Sequence, residues 1–137
     1  VHHKDQGEVR EAGHAILEAT GLTEGDRAEV KVMCNKVIRS IEQDHSIMFT
    51  GLSKGNMVLA GESVFIMEVT PAAYLSAACN EALKAADVKL IDVKPYGASG
   101  RLIMSGEESQ IDSAAEAANK LIANLNQMKE TGGNQLG

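Results

Sequence analysis

The spacing of hydrophobic positions changes several times along the chain, and each change predicts a new element. Val9, Ala12, Ile16 and Ala19 fall on one helical face behind an Asp5-x-x-Glu8 capping signature, in which side chains at the helix start take up free backbone N–H groups. A break at Gly21-Leu22-Thr23-Glu24-Gly25 separates this helix from a second. The second is predicted from Asp26-x-x-Glu29 and from Val30, Met33, Cys34, Val37, Ile38 and Ile41 at i, i+3, i+4, i+7, i+8 and i+11. Two helices this short bury little by themselves, so the second stripe calls for a covering surface.

From Ser46 the period becomes two. Ile47–Thr50, a turn at Leu52-Ser53-Lys54-Gly55-Asn56, and Met57–Ala60 predict a hairpin. Val64–Val69 predicts a strand that stops at Thr70-Pro71, where threonine can cap a helix and proline suits its first turn. The helix over 71–86 uses Leu75, Cys79, Ala82, Leu83 and Ala86 as its apolar face, and its many alanines permit close approach to a sheet. Strands at Val88–Val93 and Arg101–Met104 flank a turn at Pro95–Gly100, and Ser105-x-x-Glu108 opens a last helix with Ile111, Ala114, Ala115, Ala118, Leu121, Ile122 and Leu125 on its stripe. That helix is predicted to run out near Met128, leaving 129–137 as a flexible tail by composition. The order predicts an α+β split-βαβ, ferredoxin-like sandwich over 46–128, preceded by a helical extension over 1–45.

Composition narrows the function. A chain of 137 residues, 44% hydrophobic, holds one globular domain with an appendage. Its formal charge of −6 argues against nucleic acid as a partner, because phosphate binding needs a clustered basic face. Cys34 and Cys79 lie far apart and without zinc-ligand spacing. The histidines, His2, His3, His14 and His45, have no carboxylate or cysteine at ligand spacing, so no metal site and no cofactor are expected. Glu107, Glu108 and Asp112 sit in a helix's first turn, where the dipole favours negative charge, and so do not signal acid/base catalysis. With no nucleophile–base pair, no catalytic residue is assigned. No apolar run reaches the length of a membrane span, and the polar start His2-His3-Lys4-Asp5 is unlike a signal peptide, so the chain reads as soluble and cytoplasmic.

Lys84-Ala85-Ala86-Asp87-Val88, ending an alanine-rich helix, and Gly97-Ala98-Ser99-Gly100, between two strands, resemble the matching motifs of the bacterial microcompartment shell domain. The resemblance covers about Val64–Leu125. Family members lacking the final strand are circularly permuted, and here too the chain after the last helix runs into Gly132-Gly133-Asn134, while Val69-Thr70-Pro71 is similar to the permuted helix entry. The missing strand is expected from the upstream hairpin, at Ile47–Thr50 and Met57–Ala60. Permuted relatives often carry an amino-terminal strand that builds a small barrel over the pore, whereas this region reads as helical.

What the resemblance implies is a wall: homo-hexamers that tile with other shell proteins around encapsulated enzymes and pass small polar solutes through a central pore. It implies pore lining by Tyr96, Gly97, Ala98, Ser99 and Gly100, and a hexamer-edge contact for Lys84. Without it, Lys84 is a solvated lysine at a helix end and Pro95–Gly100 is a plain hairpin turn. The turn leads into a strand rather than a helix, which disfavours a phosphate-cradling loop. A second reading is a small regulatory α+β domain that binds a metabolite at a subunit interface, with Gly97–Gly100 as the ligand loop; it predicts a dimer or trimer.

Overall fold

The computed structural model describes the backbone of residues 1–133 and the side chains through Met128. It divides into two compact units, Val1–Ala28 with the chain from Gln127 onward, and Glu29–Asn126. In the first, helix α1 (Gln6–Thr20) starts where the Asp5 carboxylate accepts from the Gly7 N–H at 2.7 Å. It stops at Gly21, whose φ of 69° admits the left-handed turn that lets Leu22 N–H reach back to the Leu17 carbonyl at 3.0 Å. No residue of α1 is buried. Asp26 does not open a second helix. It accepts from the Thr23 N–H and hydroxyl around a single 3-10 turn, Glu24–Asp26, and these bonds hold its carboxyl below the usual range.

The second unit is a four-stranded antiparallel sheet, order β1-β2-β4-β3, built from β1 (Lys31–Ile38), β2 (Ser63–Thr70), β3 (Lys89–Lys94) and β4 (Gly100–Gly106). Helices α3 (Tyr74–Ala85) and α4 (Glu108–Gly133) cover one face. There Phe65, Met67 and Val69 of β2 and Leu102 and Met104 of β4 pack against Leu75, Ala78, Cys79 and Ala82 of α3 and Ile111, Ala114, Ala115, Ala118 and Ile122 of α4. Burial pushes the Cys79 thiol pKa up, as suits an inert core thiol. On the other face α2 (Gln43–Leu52) and the loop after it place Phe49 and Val58 against Val64, Ile91 and Ile103. The expected split-βαβ, α+β sandwich is therefore present.

Two segments differ from expectation. Residues 30–41 are not a helix but hold β1, the fourth strand, and the expected hairpin is α2 followed by a loop without strands. β1 misleads because Met33 bulges between Val32, opposite Val69, and Cys34, opposite Glu68, which breaks the period of two. It also leaves apolar residues on both faces, since Val37 packs with the helix-side core and Ile38 with the opposite one. α2 misleads for another reason: Ile47 and Met48 point outward at 60% and 50% exposure, so the apolar pattern does not report the buried side, which is Ser46 and Phe49. The fourth strand does come from upstream, as permutation requires, though from 31–38 instead of the segments at 47–60.

Smaller corrections follow from the same structure. Thr70 ends β2 rather than capping α3, whose cap position is Ala73. Leu83, expected on the buried face of α3, is exposed. Ser105 lies buried in β4 with its hydroxyl unpartnered, so it does not cap α4. α4 itself continues to Gly133, past the expected end near Met128, because nothing before the paired glycines disrupts its backbone bonds. The remainder of the expected tail, 134–137, lies outside the described residues.

β1 is tied along α4 at three points. Arg39, just beyond the strand, bonds Glu108 at 2.8 Å and Asp112 at 2.9 Å; Asn35 bonds Asn119 at 2.7 Å; and the Asn126 amide pairs both the N–H and the carbonyl of Val30, at 2.9 and 3.0 Å. The exposed Arg39 pairs contribute little in water. The Asn126 contact satisfies backbone groups where Val30 is 3% exposed, and its loss leaves them without partners. Asn126→Ala is expected to lower stability by about 1–3 kcal/mol in urea unfolding, whereas Asn124→Ala, at an exposed position two residues earlier, changes it by less than about 0.5 kcal/mol.

Candidate functional site

The β3–β4 turn holds all five residues expected to line a pore, and the structure treats them unequally. Tyr96 is 72% exposed, and Gly97 and Ala98 are exposed beside it. Gly97 carries a φ of +96°, which a side chain would strain. The Ser99 hydroxyl is half-buried and donates to the Glu68 carboxylate, while Gly100 is buried as the first residue of β4. A Cβ on Gly100 would stand 2.7 Å from the Ala72 carbonyl oxygen and 3.1 Å from the Lys94 oxygen, so only glycine lets the turn close against the entry to α3. Thr70 adds a further tie, its hydroxyl donating to the Ala98 carbonyl at 3.1 Å.

Beneath the turn, strand register assembles a polar row that was not legible as a site. Cys34, Glu68, Arg101 and Lys94 are successive cross-strand partners on β1, β2, β4 and β3. Two residues along, Ile66 and Ile103 pack with the α2-side core, so the row continues that face where the apolar packing stops. Asp92 reaches Arg101 at 3.4 Å, and the Arg101 Nε is buried without a hydrogen-bond partner. The one sequence signal was Glu68 within an otherwise apolar central strand.

Lys84 lies in the last turn of α3, exposed and paired with Glu81 at 3.1 Å. It flanks a cavity of about 330 Å³ between α3 and α4, lined also by Lys120, Leu121 and Asn124. The Gly100 turn meets the chain just before α3 begins, so Lys84 and the turn mark opposite ends of that helix, about 15 Å apart by helical rise. His45 stacks on Phe49 at 4.6 Å. Among the described residues no three histidine, cysteine or acidic side chains are grouped as metal ligands, and no helix is long and apolar enough to cross a membrane. An apolar groove of about 240 Å³ opens beside α2, lined by Ile47, Met57, Val58 and Leu59.

The family model of the BMC domain matches residues 63–131. The chain is 46% identical over 126 residues to the carboxysome shell protein CsoS1D of Hydrogenovibrio crunogenus, covering 91% of this chain and 62% of that protein. It is 42% identical over 132 residues to the carboxysome shell protein CcmP of Synechococcus elongatus, covering 96% and 62%. It thus spans less than two thirds of the length of either relative. Among solved structures it superposes on the fused permuted hexameric shell protein of the RMM microcompartment with a TM-score of 0.87 and 39% identity, covering 90% of this chain and 61% of the other. A double-ringed trimeric shell protein of the same microcompartment gives 0.85 and 31%, covering 89% and 61%.

The tight approach at Gly100 yields a direct check. Gly100→Ala is expected to destabilise the chain by about 1–3 kcal/mol in urea unfolding, because its methyl group meets backbone that cannot swing aside, whereas Ala98→Gly at the exposed tip costs less.

Proposed function

The chain belongs to the BMC-domain family, and on that premise we propose that it is a shell subunit of a bacterial microcompartment, assembling as a homo-hexamer whose rings tile edge to edge. The observation that carries this reading is the topology: a sheet whose fourth strand, β1, precedes the matched domain and pairs with β2, as in a permuted shell fold. The setting is then the cytoplasmic microcompartment shell, with other shell proteins as neighbours and enzymes enclosed behind the wall.

In such a ring the β3–β4 turns converge on the axis. Tyr96, Gly97 and Ala98 present the exposed tip, Ser99 stands behind them, and Gly100 allows the close seating of the turn. Small polar solutes pass between six copies of this turn. Lys84, at the far end of α3, then lies outward, where its ammonium exchanges Glu81 for backbone carbonyls of the adjoining ring. Ile47, Met57 and Leu59, each at least half exposed, form the sort of apolar surface that partner contacts cover. Six subunits carrying −6 each repel one another, so ring and sheet formation depend on salt.

Light scattering followed by electron microscopy tests the assembly. The expected result is a sixfold particle that grows into sheets as concentration rises; a trimer that never tiles overturns the homo-hexamer, and a dimer that never tiles favours a metabolite-binding regulatory domain. Lys84→Ala should leave hexamers intact and abolish sheets, and loss of the hexamer itself would count against an edge role. Ala98→Asp, at the exposed tip, should place six added carboxylates around the axis and slow entry of an anionic dye into assembled shells; unchanged entry removes the turn from the pore.

A further inference from the structure

We propose that the cleft between the Ser53–Asn56 loop and β3 binds a small organic anion, whose carboxylate or phosphate group sits between Lys54 and Lys94. The cleft encloses about 400 Å³, within the range of small-molecule sites, and its walls carry Ser53, Lys54, Asn56, Asp92, Lys94 and Tyr96.

The loop that forms one wall is fixed before any ligand arrives. The Ser53 hydroxyl oxygen accepts from the Asn56 and Gly55 N–H groups at 2.8 and 3.3 Å, and the Asn56 amide donates to the Leu90 carbonyl of β3 at 2.7 Å. Past the cleft, Lys89 holds the Met57 carbonyl at 2.6 Å and Glu62 at 2.7 Å. A wall pinned in this way loses little conformational freedom on binding. The other wall is β3, the sheet's last strand among the described residues, whose outward backbone groups have no strand partner.

Charge sets the ligand class. Arg101 already answers Asp92 at 3.4 Å, while Lys54 and Lys94 make no ion pair or side-chain hydrogen bond among the described residues. Arg101 is also the cross-strand partner of Lys94, and its Nε lacks an acceptor. In a chain with a formal charge of −6, two unanswered ammonium groups on one cleft, with a third cation adjoining, concentrate positive potential where an anion can use it. The Asp92 carboxylate and the Asn56 amide suit hydroxyl groups on the same ligand, so a hydroxylated organic acid or phosphate ester fits better than a bare inorganic ion.

The site belongs to a single chain and does not rest on ring formation, so light scattering on the same samples reads assembly separately. Isothermal titration of the full chain at low ionic strength, with citrate as probe, should show saturable binding of one per chain, tighter than that of inorganic phosphate. Lys54→Ala and Lys94→Ala should each weaken it roughly tenfold, Lys54→Arg should retain it, and Lys120→Ala, on the α3–α4 cavity, should leave it unchanged. Absence of citrate binding, affinity no greater than for phosphate, or binding indifferent to both alanine variants overturns the proposal; thermal melting confirms that each variant is folded.

Discussion

The pairing of β1 with β2 is the contact on which the rest of the sheet depends. β2 buries side chains on both faces, with Phe65, Met67 and Val69 toward the helices and Val64 toward α2. A strand that apolar on both sides is stable only in a sheet's interior, where each edge is paired and each face covered. β4 supplies one edge, and β1 supplies the other through seven register pairs despite its bulge. β1 is in turn held by α4, whose Asn126 completes the Val30 backbone and whose Asn119 meets Asn35. The alanines of α3 and α4 complete the arrangement, since Ala78, Ala82, Ala114 and Ala118 are fully buried and let both helices lie close to the strands.

At the turn end of the sheet the same construction changes character. The apolar α2-side face ends at Ile66 and Ile103, and the next level across the strands is Cys34, Glu68, Arg101 and Lys94. Half-buried charged groups this near a core persist only if answered, because an unpaired carboxylate or guanidinium there loses hydration without compensation, whereas Lys94 at the sheet edge is exposed to water. Glu68 is answered by Ser99, and Asp92 by Arg101. The Ser99 hydroxyl therefore helps to fix the turn's base while Tyr96, Gly97 and Ala98 remain outside, dividing the five residues between anchoring and presenting roles. Gly100 is the steric counterpart of that anchor.

How much was legible in the chain follows from which interactions are local. β2, α3, β3, β4 and α4 each carry a long periodic signal, and the turn and Lys84 are contiguous in sequence with them, so their positions could be read. β1 and α2 could not, for opposite reasons. The bulge at Met33 and burial on both faces gave β1 a helical spacing of apolar residues, while α2 exposes Ile47 and Met48 and hides Ser46. In both cases packing against distant residues overrides the local pattern. The polar row and the cleft were illegible for a further reason: they exist only through strand register, which brings together residues as far apart as Cys34 and Arg101.

Moving a strand from the end of a domain to its beginning changes connections without changing neighbours. The sheet order places β1 beside β2 whatever route the chain takes, and that route here runs through α2 and the loop at 53–62. The β3–β4 hairpin is untouched by such a rearrangement, because its partners, Glu68, Thr70 and Ala72, all follow β1 in the chain. The rerouted connection must nevertheless cross the face opposite α3 and α4, and in doing so it brings Lys54 and Asn56 against β3. The turn is thus set by the part of the fold that permutation leaves alone, while the cleft beside it is built from the connection that permutation introduces.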